Sequence, residues 1–462
     1  MSEEETVRPE RSPGIKLLFA ALVGLALMIP QLLVFALVYD RQEQSDTAQA
    51  SINAGWGGPQ VIAGPVLVVP YMATERQNET VGDRTVERIV EVERELFVSP
   101  ALNTIQTRIE PQERRKSIYR AVLFEAQVEG RASFALPQDL ARFGVPIDRL
   151  MWNRAELRIG TSDARGLTRG GRIVAGGRAL TVEPGKGLGA AGNQGFFAFV
   201  PWDGRGTLPV EYAFGLRGSR AFSVVPRGGQ TRWTVNSSWT SPSFTGDFLP
   251  EQRGVSDRGF RATYTIDKLA LGQPSVASAD QSPPTIEAAP RASYDVAVAS
   301  GSSQAKAVTV GLIEPVDLYS KVNRAVKYGF LFIGFTFLAY LLFDIVGGAR
   351  VAPAEYLLTG AGLVLFFVLL LAFAEVIGFT GAYLLASATI IGLLTAYSAA
   401  VLKGWRRAGF MGALLVGLYA ALFVLLNLEA LSLLIGSVLL FAALAGVMYA
   451  TRRIDWSAAR RR

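Results

Sequence analysis

The sequence predicts an α+β membrane protein, with six transmembrane helices and a large antiparallel β-rich domain between the first and the second. Three observations lead there. Tyr328 to Ala450 is almost continuously apolar, whereas Arg41 to Lys327 has the mixed composition of a water-soluble domain. A separate apolar run, Leu17–Val38, lies near the N-terminus. Between these two regions the apolar period changes from helical to two residues, the period of a half-buried strand.

The run Leu17–Val38 meets the ~20 residues needed to cross roughly 30 Å of hydrocarbon. Only Pro30 and Gln31 interrupt it, and Arg8, Arg11 and Lys16 precede it. A signal peptide is the competing reading, because Ala48-Gln49-Ala50 resembles a cleavage site. However, the run is longer than the roughly 7–15 apolar residues of such a peptide, and Asp40, Arg41, Glu43 and Asp46 intervene. An uncleaved anchor over 17–38 is therefore expected, behind a cytoplasmic tail over 1–16.

The domain over 39–327 carries the alternating pattern. Phe124, Ala126 and Val128 alternate with Glu125, Gln127 and Glu129, and Ala155, Leu157 and Ile159 with Glu156 and Arg158. Trp233 and Val235 follow the same rule, as do Phe260, Ala262 and Tyr264, with glycine-rich turns between many of the runs. This predicts antiparallel sheets with one buried face each, a sandwich or a pair of sheets. The polar stretch Gln42–Ser51 is expected as a short helix leaving the membrane. Gly272–Arg291, rich in Ala, Ser and Pro, is expected as an exposed excursion or linker.

Five further spans are expected over 328–450: Tyr328–Val346, Ala354–Ala374, Ala382–Val401, Phe410–Leu426 and Ala430–Ala450. Their short connections make neighbouring helices antiparallel. Arg350, then Lys403, Arg406 and Arg407, then a basic tail over 451–462 fall on one side; the loops near Glu375–Gly381 and Asn427–Glu429 hold no Lys or Arg. By the positive-inside rule both termini are cytoplasmic. Lys321, Arg324 and Lys327 disagree, but they follow a long segment, and long domains cross largely regardless of charge.

The chain contains neither Cys nor His. Disulfides, thiol nucleophiles, imidazole ligands and Ser-His-Asp triads are thereby excluded. No cofactor or metal is expected. The net charge of +7 gathers beside apolar runs rather than in basic patches interleaved with aromatics, so the lipid bilayer, not nucleic acid, is the expected partner.

Among charged residues, Asp163 and Arg165 in Asp163-Ala164-Arg165-Gly166 form the most site-like pair, with an ion pair fixing a loop as the simpler expectation. Asp247, Glu251 and Asp257 are the best acid–base candidates, though nothing in their spacing brings two together. Gly185-Lys186-Gly187-Leu188-Gly189 lacks the spacing of a phosphate loop and reads as a turn-rich loop. In the membrane segments, Asp344, Glu375 and Glu429 are candidates because intramembrane carboxylates so often function. All three fall at span ends, where water and headgroups reach. Glu355 after Pro353 reads as a helix cap. Ser387, Thr389, Thr395, Tyr397 and Ser398 are expected to bond to neighbouring helices, and Ala442 with Gly446 to mark a close helix contact.

Several stretches together resemble a known family. They are Gly58-Pro59-Gln60, Gly64-Pro65-Val66-Leu67 with Pro70, and Ser162-Asp163-Ala164-Arg165-Gly166. Phe222-Ser223-Val224-Val225-Pro226, Ser238-Trp239, Pro242-Ser243-Phe244 and Gly246-Asp247-Phe248-Leu249-Pro250 follow. Val316-Asp317 with Tyr319, Arg324, Lys327 and Tyr328, then Gly378-Phe379-Thr380, Ala400–Trp405 and Arg453-Ile454-Asp455-Trp456 complete the set. From about Gly57 to Trp456 the chain resembles the CreD family of bacterial inner-membrane proteins. Asp344 stands where that pattern leads one to expect Glu, which keeps the charge.

The resemblance implies an inner-membrane location, a periplasmic β domain, and a setting in cell-envelope integrity and stress responses governed by a two-component system. It brings no catalytic residues. The expected function is a non-enzymatic envelope protein whose β domain binds or senses an envelope protein or polymer, with Gly57–Pro70 and Ser241–Pro250 as binding-loop candidates. A transporter or flippase-like role for the helix bundle, lined by the fourth span and reached from Asp344 or Glu375, is the alternative.

Overall fold

The computed structural model describes residues 13–81, 84–116, 119–137, 140–143, 145, 147–285, 304–312, 318–345, 351–427 and 432–452. Two compact units divide the chain, one of Met1–Thr47 with Val316–Arg462, the other of Ala48–Pro315. Glu429, Arg350, most of the N-terminal tail and most of the basic C-terminal tail lie outside the described residues.

The first unit is helical. Helix α1 runs Pro13–Ala54, 42 residues without interruption, and its last turns continue into the second unit. At 1.5 Å per residue it is about 63 Å long. The polar stretch expected as a separate helix is its C-terminal end. Taking the short α2 (Lys268–Leu271) from the second unit in chain order, the helices of the first unit continue as α3 Leu318–Lys327, α4 Gly329–Ile345, α5 Pro353–Ile377, α6 Phe379–Val401, α7 Trp405–Asn427 and α8 Ser432–Thr451. Five described segments are long and apolar enough to cross a membrane: Gly14–Asn53, Leu318–Ile345, Pro353–Ile377, Phe379–Val401 and Trp405–Asn427.

The cations that sat awkwardly before the second predicted span belong to α3. Its Tyr319, Val322 and Val326 are buried at the 3–4-residue spacing of one helical face, while Lys327 is exposed, so α3 is amphipathic. Pro353 opens α5, and Glu355 Oε2 accepts from Ala352 N at 2.7 Å, the expected cap. Glycines set the close helix approaches. A Cβ at Gly360 would strike Leu27, and one at Gly329 would strike the Gln31 amide. At Gly446, where a close contact was expected, a Cβ would meet nothing within 4 Å.

The second unit is built from seventeen described strands: β1 Gln60–Val81, β2 Arg84–Val98, β3 Leu102–Lys116, β4 Tyr119–Phe134, β5 Glu156–Thr161, β6 Leu167–Ala175, β7 Arg178–Leu180, β8 Glu183–Pro184, β9 Gly195–Phe199, β10 Leu208–Ser219, β11 Ala221–Val225, β12 Gln230–Ser237, β13 Pro242–Gly246, β14 Gln252–Ser256, β15 Gly259–Asp267, β16 Val276–Ala277 and β17 Val308–Leu312. One sheet has the order β13-β17-β11-β1-β5-β9-β8, with β2 and β16 attached beside β1. The other has the order β14-β15-β12-β3-β4-β10-β6-β7. Each contains one parallel pairing, β1 with β11 and β3 with β12, so the sheets are mixed rather than purely antiparallel.

The alternating residues do what their period requires. Phe124, Ala126 and Val128 are buried while Gln127 and Glu129 are exposed. Both sheets contribute to one core, in which Phe222 meets Phe124 edge-on and Trp233 stacks on Tyr264 with centroids 5.1 Å apart. Trp233 satisfies its indole by donating to Thr107 Oγ1 at 2.9 Å, as a buried N–H must.

Strand β5 breaks the one-buried-face expectation, since Glu156 and Arg158 are buried as well as Leu157 and Ile159. The cause is a second layer. Leu188, Ala190, Ala191, Ala305 and Ala307 cover the other face of the β1 sheet and form a smaller core with Val61, Val66 and Val68. The glycine loop Gly185–Gly189 is part of this cover. Gly189 N donates to Asp280 Oδ2 at 2.5 Å, and Arg227 pairs with the same carboxylate. Of the stretch expected as an exposed excursion, 272–285 is instead packed on the unit: Val276–Ala277 pairs with β2, Gln281 and Ser282 are buried, and Ala305 N donates to Ser282 O at 3.0 Å; 286–291 lies outside the described residues.

Candidate functional site

Two places gather the polar residues that the sequence singles out. In the β unit, Gly58-Pro59-Gln60 and Ser162–Gly166 meet although a hundred residues separate them. Ser162 Oγ donates to Pro59 O at 3.1 Å and accepts from Val61 N at 2.9 Å. Gln60 is fully buried and donates to Arg217 O at 2.9 Å. Gly166 lies so close to Arg217 O that a Cβ would come within 2.5 Å.

Asp163 and Arg165 sit on the rim of this knot. Asp163 Oδ1 accepts from Arg165 N and Nε, both at 3.0 Å, and Oδ2 from the guanidinium at 2.8 Å. The bonds from Arg165 hold the Asp163 carboxyl below its ordinary range against the opposing effect of partial burial, and a bond from the Gly58 backbone adds to this. The pair therefore closes one turn and ties it to the entry of β1. Next to it, Trp56 lies between Arg114 and Arg217, each guanidinium 4.3 Å from its ring centroid. Arg217 also pairs with Glu125 at 3.0 Å. Contacts of this kind contribute about 0.5–2 kcal/mol each, and here they fix the chain as it leaves α1. Trp56 carries no local motif; its adjacency to Gly58-Pro59-Gln60 was the available signal.

Gly57–Pro70, expected as a binding loop, is the entry and central part of β1 and is almost wholly buried from Gln60 onward. Its Gly and Pro residues make a bulge, not a loop. The Gly64–Pro65 peptide is cis, Gly64 has φ +98°, and pairing with β5 shifts register between Ala63 and Val66. A Cβ at Gly64 would lie 2.9 Å from Arg158 O. Ser241–Pro250 holds the edge strand β13 and the turn after it. Asp247 Oδ2 accepts from Ala307 N at 2.7 Å, which pins that turn, and Glu251 and Asp257 lie exposed at the two ends of β14. Leu249 is left 72% exposed.

A buried charge network crosses the second face of the β1 sheet. Arg158 bonds bidentately to Glu95 at 2.5 and 3.0 Å and to Glu156 at 2.9 Å, and Lys186 reaches Glu156 at 2.7 Å. Burial lowers the Arg158 pKa, and the two carboxylates more than reverse this, leaving it raised. Two further guanidinium–carboxylate pairs, Arg154–Glu93 and Arg149–Glu91, continue along β2.

The second place is in the helical unit. Asp344 is 4% exposed, so water does not reach it as its position in the sequence implies. Lys16 of α1 donates to it at 2.8 Å. Lys16 and Asp344 lie 328 residues apart, and no local pattern announces the pair. Further along α1, Gln31 donates to Val326 O at 2.7 Å, where α3 gives way to α4. Glu375 accepts from Tyr319 Oη at 3.2 Å, and Lys321 reaches Asn427 at 3.0 Å and the Phe379 ring at 5.1 Å. The hydroxyls of the fourth predicted span divide: Thr395 Oγ1 is buried with no hydrogen-bond partner among the described residues, while the two serines are bonded within the bundle. Ser387 and Ser398 donate to the carbonyls of Tyr383 and Leu394, and Tyr340 meets Ser398. Two grooves beside α1 are apolar and include neither Asp344 nor Glu375.

The model of the family described as "Inner membrane protein CreD" matches residues 12–457. The chain belongs to the CreD family. "Inner membrane protein CreD" of Escherichia coli (strain K12) is 33% identical over 444 residues, covering 94% of this chain and 91% of that protein. With the apolar helices, this makes the chain an inner-membrane, multi-pass protein. A crystal structure of a Parabacteroides distasonis protein whose name proposes a protease aligns over 52% of this chain and 46% of its own. Its 8% identity and TM-score of 0.21 carry no argument about fold or activity.

Proposed function

We propose that the chain is a six-span, non-enzymatic envelope protein with both termini in the cytoplasm, whose periplasmic β domain binds an envelope component. In this reading 1–16 is a cytoplasmic tail, 17–38 the anchor, 39–327 the periplasmic domain, 328–450 the five-helix bundle and 451–462 a basic cytoplasmic tail. The envelope-integrity and stress-response setting implied by the family, with its two-component regulation, belongs to the same proposal.

One observation carries it: a β unit with its own core is inserted between the first apolar helix and all the others. Several contacts support the topology. Lys16 meets Asp344 across the start of α1 and the end of α4, so these helices are antiparallel. Glu375, Tyr319, Lys321, Asn427 and Phe379 gather at the opposite helix ends, where an amphipathic α3 suits a membrane interface. Lys403, Arg406 and Arg407 stand at the α6–α7 turn, on the Asp344 side by helix order. The transporter alternative gains no comparable support, because the apolar grooves beside α1 include neither Asp344 nor Glu375.

The absence of native Cys makes the test direct. Single-cysteine variants Val255→Cys, in exposed β14, and Trp405→Cys, at the α6–α7 turn, are treated with a membrane-impermeant maleimide in cells whose outer membrane is permeabilised. Val255→Cys should be labelled at once, and Trp405→Cys only after the inner membrane is opened. The reverse pattern would sink the topology. A cysteine replacing Ser457 should behave like Trp405→Cys; labelling from outside would remove the sixth span.

A further inference from the structure

Trp152 and Trp202 form a feature that neither the family nor the reading above accounts for. Together with Asn153, Pro201 and Asp203 they line an open depression of about 420 Å³ on the β unit. This lies within the roughly 300–1,000 Å³ of small-molecule sites. The two indoles stand nearly perpendicular, at 79°, with centroids 5.6 Å apart.

Both rings are held by structure beneath them. Trp152 opens a single 3-10 turn, Trp152–Arg154, whose last residue is bonded to Glu93 by two contacts at 2.8 and 2.9 Å. Trp202 Nε1 donates to Arg205 O at 3.0 Å, and Asp203 Oδ1 accepts from Arg205 N at 3.0 Å, closing a tight turn. That turn needs Gly204, whose φ is +78° and whose Cβ would come 2.5 Å from the Trp152 ring. Each Trp packs on the main core through its inner side and stays partly open on the other. Asn153 and Asp203 are exposed at the rim.

We propose that this shelf binds a neutral pyranose glycan. A pyranose ring has one apolar face of C–H groups and an equatorial belt of hydroxyls. Fixed aromatic planes suit the face, and an amide and a carboxylate at the rim suit the belt, with little entropy lost because the rings are already ordered. No cation lines the depression and Asp203 borders it, which disfavours anionic ligands. A proline-rich peptide is the other ligand that aromatic grooves accept. The N–H of Trp202 is already bonded to Arg205 O and so is not offered to a peptide carbonyl, and a polyproline peptide is the competing ligand in the test below.

The proposal rests on the reading of the β unit as an exported binding module, and it names the ligand class. Its test is independent of location. The full chain, purified in lipid nanodiscs with 5-fluorotryptophan at its 7 Trp positions, is titrated with chitotetraose and followed by fluorine NMR. Trp→Phe variants assign the signals. Saturable shifts at Trp152 and Trp202, with the other five unmoved, are expected. Asn153→Ala, an exposed change that leaves both rings in place, should weaken binding by about tenfold, or roughly 1.4 kcal/mol. No shift up to millimolar sugar overturns the proposal, as does a shift unaffected by Asn153→Ala. Shifts with a polyproline peptide but not with chitotetraose overturn it in favour of a peptide site. If the sugar fails while Val255→Cys is still labelled from outside, the glycan is wrong and the export reading stands.

Discussion

The two units hold their buried charges in different ways. In the β unit Arg158, Glu156, Glu95 and Lys186 share a network in which the guanidinium has two carboxylate partners. In the helical unit Asp344 has one ionic partner among the described residues, Lys16, and that partner comes from the N-terminal end of the chain. Removing one member of a network leaves the rest partly compensated; removing one member of a lone buried pair leaves an uncompensated charge. The Lys16–Asp344 pair is therefore more fragile than the Arg158 network, as is the single buried pair Arg227–Asp280 elsewhere in the β unit. In the β unit the Arg158 network is redundant, and the indoles of Trp152 and Trp202 are held in order.

Four single substitutions and one double variant test this contrast, in order of expected effect. Lys16→Leu strands Asp344 and should cost roughly 3–5 kcal/mol, read as a lowered melting temperature in nanodiscs. Lys16→Leu with Asp344→Leu should recover most of that loss; no recovery would mean that the pair is not what holds α1. Glu156→Gln leaves Arg158 its bidentate bond to Glu95 and should cost less, roughly 1–3 kcal/mol. A larger loss than Lys16→Leu would invert the comparison.

Asp163→Asn should act through pH. Because Arg165 depresses the folded-state pKa of Asp163, its contribution is fully present above the ordinary value of 3.8 and is lost as pH falls through the depressed folded value. Denaturation curves of the native chain and Asp163→Asn should thus differ at neutral pH and converge on acidification below that value. A gap independent of pH would show that the carboxylate's charge is not what matters. Arg131→Ala removes an exposed pair with Glu211, whose side chains are 82% and 53% accessible, and should change stability by no more than about 0.5 kcal/mol. A larger change would make surface pairs a hidden part of the β unit's stability.

The regular elements were legible because they follow from period and length. Phe124–Val128 and Phe260–Tyr264 alternate as strands, and the five C-terminal apolar stretches became helices with ends moved by a few residues, whereas the helix predicted over Leu17–Val38 continues to Ala54. The pair Asp163–Arg165 was legible too, because it is local. What sequence hid was tertiary. Gly57–Pro70 has the composition of a loop, yet Val61, Ile62 and Val66–Val69 carry it into the sheet centre while Gly64 and Pro65 absorb a bulge. The second buried face of β5 depends on a cover supplied by residues near 188 and 305. Lys16 and Asp344, like Trp152 and Trp202, are single residues on distant segments, and no window of sequence contains either pair.

If the β unit binds and the helices anchor it, loss of the β unit alone should abolish function. Replacing Ala48–Pro315 with a flexible linker, while keeping every apolar helix and checking by immunoblot that the product accumulates in the inner membrane, tests it in a deletion strain with a measurable envelope defect. The account predicts that the shortened chain fails to complement while the full chain succeeds. Complementation by the helices alone would contradict it.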